Sequence, residues 1–284
     1  LALDANTDAT NNTALGYAAL STNTTGVNNT AIGSASLHAS STASSNTAVG
    51  YASLYANTTG ANNTAVGLST LFYSTTGASN VAMGYRALYV NTTGSSNVAL
   101  GASALAANTT ASNNTAVGQS ALISNTTGTN NVAVGALALD ANTTANGNIA
   151  VGASSLGSNT TGASNIGIGH EALGFNVTSN QNTAIGYAAL WKNTAADNTA
   201  IGFGALQFNT TGTNLVAVGA NALDANTTGS NNIGIGRNAA GGTTTGTGNI
   251  AIGTNSLLQN TTGLDNVAVG LYALNANITA SNNT

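Results

Sequence analysis

A glycine that returns at a constant interval constrains this chain more than any other feature of its sequence. The interval is the one from Gly16 to Gly33, and it shortens only once, by a single residue, between Gly186 and Gly202. A fixed period of this length is typical of a solenoid, in which each repeat forms one coil that packs against the coils before and after it. The repeated glycines are Gly16, Gly33, Gly50, Gly67, Gly84, Gly101, Gly118, Gly135, Gly152, Gly169, Gly186, Gly202, Gly219, Gly236, Gly253 and Gly270.

Each repeat has the same order of residue types around its glycine. The residue before the glycine is apolar and mostly β-branched, as at Val49, and the residue two before it is always Ala or Gly, as at Ala48. The fourth residue after the glycine is Leu in nearly every repeat, as at Leu54, and an Asn-Thr-Thr-Gly segment then follows in most repeats. Alternating faces and β-branched residues indicate a short strand, and a repeat this short that contains two glycines cannot hold a pair of helices.

The predicted fold is therefore all-β, a parallel β-solenoid (β-roll) of about 16–17 coils with a 17-residue repeat. Each coil adds one rung of parallel strand, about 4.8 Å along the axis. The Val/Ile column and the Leu column are expected to form a dry core. The two Asn columns are expected to stack their side-chain amides from coil to coil.

The Ala/Gly column, two residues before each glycine, is the most informative. Alternation places it on the face opposite the Val/Ile column, and no repeat carries a polar residue there. A face restricted to the smallest residues is buried against the opposite wall of a thin coil or against another chain. The second interpretation is favoured, so the predicted assembly face consists of Ala48, Ala65, Ala82, Ala99, Ala116, Ala133 and Ala150.

Nearly all aromatic residues lie one, five or six places after the glycine, in columns whose residue type varies between repeats. Such a ridge would suit contacts with glycans or with other fibres. Isolated exposed rings are also ordinary on protein surfaces and need no function. The candidate surface contacts are Tyr51, Tyr55, Tyr85, Tyr89, Tyr187, Trp191 and Phe203.

The recurring Asn-Thr-Thr segment matches the Asn-x-Thr acceptor for N-glycosylation. The alternative is that the Asn and Thr side chains form hydrogen bonds with backbone groups at a corner of the coil, and this interpretation is favoured. The candidate acceptors are Asn57, Asn91, Asn125 and Asn159.

Charged residues make up only 4% of the chain, against about 25% in an ordinary domain, and the net charge is −4. No basic patch is available for nucleic acid, and no apolar run approaches the ~18 residues of a membrane span. The two histidines, His38 and His170, and the few carboxylates are too far apart to form a catalytic group. We therefore expect no enzyme activity, no cofactor and no bound metal.

Both termini lie inside a repeat. Leu1 lies just before a leucine of the Leu column, and Thr284 occupies the place of the threonine that precedes each strand alanine. The domain prediction is a single uncapped β-solenoid over residues 1–284, either an excerpt of a longer repetitive chain or a subunit whose ends are covered by neighbours.

The run Asn-Thr-Ala-Val-Gly-Tyr-Ala-Ala-Leu resembles the head repeats of YadA-like trimeric autotransporter adhesins and related repeats in phage tail fibres and bacterial surface fibres. The resemblance extends over the whole chain on a short, degenerate motif. It implies a left-handed coil and the side-by-side association of three chains. The chain departs from that pattern in its longer coil, and it contains neither a coiled-coil stalk nor a membrane anchor.

The function expected from these observations is that of a non-enzymatic structural protein in an extracellular fibre or surface appendage, such as an adhesin, a filament or a tail fibre. It would provide stiff reach and surface attachment at the cell surface or on a virion. Its main partner would be itself, as a homotrimer or a polymeric filament, with host or surface glycans as a further partner. The alternatives are an ice-binding β-solenoid, for which the expected paired Thr-x-Thr array is missing from the sequence, and a glycan-binding module.

Overall fold

The computed structural model describes all 284 residues, which divide into two compact units, 1–146 and 147–284. Every regular element is a strand of three residues, and there is no helix. The first unit contains β1 (Thr13–Leu15), β2 (Thr30–Ile32), β3 (Thr47–Val49), β4 (Thr64–Val66), β5 (Val81–Met83), β6 (Val98–Leu100), β7 (Thr115–Val117) and β8 (Val132–Val134). The second contains β9 (Ile149–Val151), β10 (Ile166–Ile168), β11 (Thr183–Ile185), β12 (Thr199–Ile201), β13 (Val216–Val218), β14 (Ile233–Ile235), β15 (Ile250–Ile252) and β16 (Val267–Val269).

Within each unit the strands pair in parallel and in sequence order. Each strand residue lies opposite its equivalent in the next coil, as Ala48 lies opposite Ala65. The shortened repeat does not change the strand register, because Ala184 still lies opposite Ala200. The predicted all-β parallel solenoid with one strand in each repeat is confirmed. The left-handed coil and the single body over 1–284 stay predictions.

The glycine after each strand forms a corner that no other residue fits. Gly50 has a φ of 130°, a conformation that side chains with a Cβ rarely adopt. A Cβ built there would overlap the carbonyl group of Gly67 in the next coil. Both constraints recur along the column, which explains why the glycine never varies.

Non-glycine residues in other columns also adopt the left-handed backbone conformation, which the sequence pattern did not predict. Ala52, Leu54 and Asn62 have φ values of 51°, 49° and 60°, and their equivalents in other coils are similar. The Ala52 N–H donates to the Ser34 carbonyl of the preceding coil, whereas the Leu54 N–H donates to the Thr70 carbonyl of the next, both at 2.9 Å. These hydrogen bonds offset a backbone cost of about 1–2 kcal/mol per residue.

The core lies on the alanine side of each strand, and the predicted Val/Ile core column is wrong. Val134 and Ile168 are 36% and 37% exposed, whereas the alanines and the Leu column are fully buried. The reason is the narrow interior of the coil, which leaves little space for a side chain at this position. At Gly167 an added Cβ would lie 3.3 Å from Cγ of the core residue Leu156, so the inner position has no space beyond a Cβ and holds only Ala or Gly. The branched residues therefore point outward.

The predicted assembly face is wrong, because the strand alanines that compose it are buried inside their own coil. Side chains with no exposed surface in a single chain cannot form contacts with another chain, and the alanines face the opposite wall of their own thin coil. All seven are 0% exposed: Ala48, Ala65, Ala82, Ala99, Ala116, Ala133 and Ala150.

Candidate functional site

The first candidate surface is the strand face, formed by the first and third residues of every strand. In both units these positions hold only Thr, Val, Ile, Leu and Met, with no charged residue in any coil. Their side chains are half-buried or exposed. Because the strands pair in register, each unit presents two parallel columns of mostly branched side chains. This is a regular, uncharged and mostly apolar surface, of the kind that marks a site of interaction.

Two columns of buried asparagines form hydrogen-bond ladders inside the coil. In the column four residues before the glycine, the Asn80 N–H donates to Asn63 Oδ1 at 2.9 Å, and Asn80 Nδ2 donates to the Gly94 carbonyl at 2.9 Å. In the column seven after the glycine, Asn108 Nδ2 donates to Asn91 Oδ1 at 2.8 Å. The predicted stacking of amides is confirmed.

These ladders contain the four candidate glycosylation sites. Asn57 Nδ2 donates to the Gly60 carbonyl at 2.9 Å, and its equivalents are held in the same way. An amide nitrogen with no exposed surface cannot be reached by a transferase in the folded chain. The glycosylation interpretation is therefore wrong for the folded protein at Asn57, Asn91, Asn125 and Asn159, all of which are 0% exposed.

One coil breaks the first ladder and offers a stability test. Leu215 replaces its asparagine and is fully buried. The Asn232 N–H thereby loses the side-chain acceptor that the Asn249 N–H has in Asn232 Oδ1, at 2.8 Å. We expect Leu215→Asn to stabilise the second unit by about 1–2 kcal/mol, by restoring an acceptor to a buried donor. Slower hydrogen exchange in β12–β14 would confirm this, and unchanged or faster exchange would contradict it.

The second candidate surface is the threonine column, which is the position of the second threonine in the Asn-Thr-Thr segment. It is exposed in eight consecutive coils of the first unit: Thr25, Thr42, Thr59, Thr76, Thr93, Thr110, Thr127 and Thr144. The threonine just before it behaves differently. Thr58 Oγ1 donates to the Thr75 carbonyl of the next coil at 3.0 Å, and this bond recurs from coil to coil.

The aromatic columns stack into short ladders. In the first unit His38, Tyr55 and Phe72 lie nearly parallel, with ring centroids 5.0 Å and 4.9 Å apart. In the second, Tyr187 lies parallel to His170 at 5.5 Å and to Phe203 at 5.2 Å. This spacing follows from the rung spacing of the strands. The rings therefore cover one another's faces and leave their edges toward solvent.

The remaining candidate contacts are placed as follows. Tyr51 is 59% exposed. The Arg86 guanidinium lies over the rings of Tyr85 and Tyr89, at 5.2 Å and 4.9 Å from the centroids. Trp191 packs edge-on against a neighbouring ring and lies under an ammonium group 5.5 Å from its centroid. The seven candidate residues thus belong to separate clusters rather than to one site.

Two half-buried carboxylates predict that the stability of the chain depends on pH. Burial raises the pKa of Asp140 and of Asp224, and backbone N–H groups only partly oppose this effect. The unfolded pKa is about 3.9. At pH values between the unfolded pKa and the higher folded pKa, the native state binds more protons than the unfolded state. The free energy of unfolding therefore falls as the pH rises through this range.

We therefore expect acidification from about pH 7 to about pH 4 to stabilise the chain. The double variant Asp140→Asn/Asp224→Asn should lose this gain, because an amide does not titrate. Thermal unfolding of both proteins at the two pH values measures the difference. Equal responses of wild type and variant would contradict the assignment.

Two further observations concern chemistry. No three His, Cys, Asp or Glu side chains come together as a set that could hold a metal ion. No helix is present that is long and apolar enough to cross a membrane.

No protein-family model matches the chain, and no curated protein is significantly similar to it in sequence. The case for its function therefore rests on its surfaces.

Proposed function

We propose that the chain is a non-enzymatic structural segment of an extracellular fibre or surface appendage, and that it associates with copies of itself through the strand face. The strand face is the observation that supports this proposal. It is mostly apolar, regular and free of charge in every coil, whereas several other exposed columns change residue type from coil to coil.

A second copy of the chain is the partner that fits this face best. A surface that repeats with the strand spacing is complementary to another surface with the same repeat, and a second copy supplies one. Burial of branched apolar side chains contributes about 25 cal/mol per Å², and no charge has to be desolvated. The resemblance to trimeric adhesin heads supports three copies, and a polymeric filament is the alternative arrangement.

The fold also supports a mechanical role. In each unit the coils are bonded to their neighbours by strand pairing and, in most coils, by amide ladders and threonine hydroxyls. A stack held by repeated short-range bonds resists bending without a large core. Such a segment would provide reach at a cell surface or on a virion, with attachment to surface glycans as a further proposed role of the exposed Tyr51 and Phe203 rings.

The test is the mass of the purified particle in solution, together with its form in electron micrographs. Trimers or filaments support the proposal, and a monomer at every concentration contradicts it. The triple variant Val66→Lys/Val117→Lys/Ile235→Lys places charges on the strand face of both units. We expect it to be monomeric with unchanged circular dichroism, because each lysine would otherwise be buried without a partner.

A matched control adds the same charge elsewhere. Tyr51→Lys/Gln119→Lys/Phe203→Lys changes exposed or half-exposed residues that directly follow corner glycines and lie outside the strand face. This variant should keep the wild-type mass. If both triple variants dissociate, net charge and not the strand face controls association.

A further inference from the structure

After Asp8, which occupies the position in the first coil, the threonine column of the first unit keeps its residue type over eight consecutive coils without an internal structural reason. All eight side chains are exposed, and none of their hydroxyl groups forms a hydrogen bond within the chain. Other exposed columns vary freely. The column one place after the glycine, for example, contains Tyr51, Leu68 and Gln119. Since the repeats have diverged where nothing constrains them, an invariant exposed threonine points to a contact outside the chain.

The threonine column has a companion column two residues later in each coil. The residue between them is buried, as at Gly60 and Ala111, so both columns face outward from a short extended segment. The companion residues are small and uncharged: Val27, Ser44, Ala61, Ala78, Ser95, Ser112, Thr129 and Asn146. We call the two columns together the threonine face.

The threonine face is held rigid by the coil beneath it. In the coils with a serine companion the serine hydroxyl accepts the backbone N–H of the preceding coil, as Ser95 Oγ accepts the Ala78 N–H at 3.1 Å. In most coils the residue preceding the face threonine is itself a threonine that is fixed by its own hydroxyl, as at Thr92, which donates to the Thr109 carbonyl at 3.0 Å. The exposed methyl and hydroxyl groups are therefore presented in fixed rows.

From this geometry we propose that the threonine face of the first unit binds ice. Its rows repeat at about 4.8 Å, the rung spacing of the strands, which is close to the repeat of water molecules along a row in hexagonal ice. The hydroxyl can replace a lattice water, and the methyl favours ordered water beside it. Charged groups are poorly accommodated in ice, and no charged residue lies in either column over these eight coils.

This inference goes beyond the proposed fibre function and uses a different surface. The array is a single threonine column and not a paired one, because the companion column has threonine only at Thr129. The adjacent threonines of each segment also differ in role. The first is bonded to its own chain, and only the second belongs to the array. A crystalline polysaccharide is a less suitable ligand, since the threonine face contains no aromatic ring on which a sugar could stack.

The second unit provides an internal contrast. Its shortened coil has Thr194 bonded to the Thr210 carbonyl at 2.9 Å and then the buried Ala195, so the exposed threonine is the residue that is missing. The column of that unit is therefore interrupted between Thr178 and Thr211. The uninterrupted column of the first unit should supply most of the binding.

The experiment measures thermal hysteresis and ice-crystal shape with the full chain. We expect the wild type to shape ice crystals and to depress their growth temperature. Thr76→Lys/Thr93→Lys should lose most of this activity, because two ammonium groups then lie in the middle of the rows. Hydrogen exchange of β4–β6 should stay at the wild-type rate, which separates loss of the face from loss of the fold.

The matched control is Leu68→Lys/Gln119→Lys, which adds the same charge at exposed positions outside the threonine face and should keep the wild-type activity. Absence of hysteresis and of crystal shaping in the wild type would overturn the proposal. So would equal activity of Thr76→Lys/Thr93→Lys and the wild type, or adsorption to crystalline cellulose or chitin but not to ice. Particle mass is measured separately, so failure here is distinguishable from failure of the fibre proposal.

Discussion

Ala116→Leu is expected to destabilise the coil around β7 by about 3 kcal/mol or more. Ala116 is fully buried, and it pairs in register with Ala99 and Ala133 on either side. The added atoms have no space, because at the equivalent Gly167 a Cβ would already lie 3.3 Å from Cγ of the opposing core leucine, Leu156. Overpacking must therefore spread the opposite wall of the coil.

The measurement is native-state hydrogen exchange of β6–β8, because a repeat stack opens locally and a single unfolding midpoint is not defined for it. The next residue supplies the control. Val117→Asp places a charge on the half-exposed outer side of the same strand, and we expect close to wild-type exchange in the monomer. Faster exchange in Val117→Asp than in Ala116→Leu would mean that the core lies on the branched side.

The period alone predicts the fold class, because a repeat that must hold a strand and two glycines in so short a length leaves no room for helices. It does not predict which side of the strand is inside. A three-residue strand with apolar residues on one face and alanine on the other is consistent with either orientation. The decision depends on the width of the coil, which is set by the opposing leucine and by the left-handed backbone at residues such as Leu54.

The functional surfaces were predictable to different degrees. The aromatic residues were recognised by their columns, but their stacking reflects the rung spacing and not the composition. The two threonines of each Asn-Thr-Thr segment are identical in the sequence. Only the hydrogen bond from Thr58 to the next coil separates its role from that of Thr59. The signal that could have found the threonine face is the lack of variation at an exposed column.

Gly101→Ala should have an effect as large as that of Ala116→Leu, about 3 kcal/mol or more, for a different reason. Gly101 has a φ of 138°, and a Cβ at that position would lie 2.5 Å from the carbonyl oxygen of Gly118 and 2.7 Å from its carbon. Both atoms belong to the backbone of the next coil. The strain can be relieved only by separating two paired coils, so hydrogen exchange should accelerate in β6 and β7.

A second glycine in the same coil gives the matched control. Gly94 lies in the column that ends the Asn-Thr-Thr segment, and other coils of this chain have alanine in that column, at Ala43, Ala111 and Ala145. A Cβ at Gly94 would also overlap a backbone carbonyl of the next coil, that of Ala111. Gly94→Ala should nevertheless be tolerated, since other coils accommodate the same side chain in this column with little or no exposed surface. Similar exchange rates in Gly94→Ala and Gly101→Ala would contradict the argument that left-handed geometry, and not crowding alone, requires the corner glycine. A loss confined to Gly101→Ala would place that requirement at the corner where each strand ends.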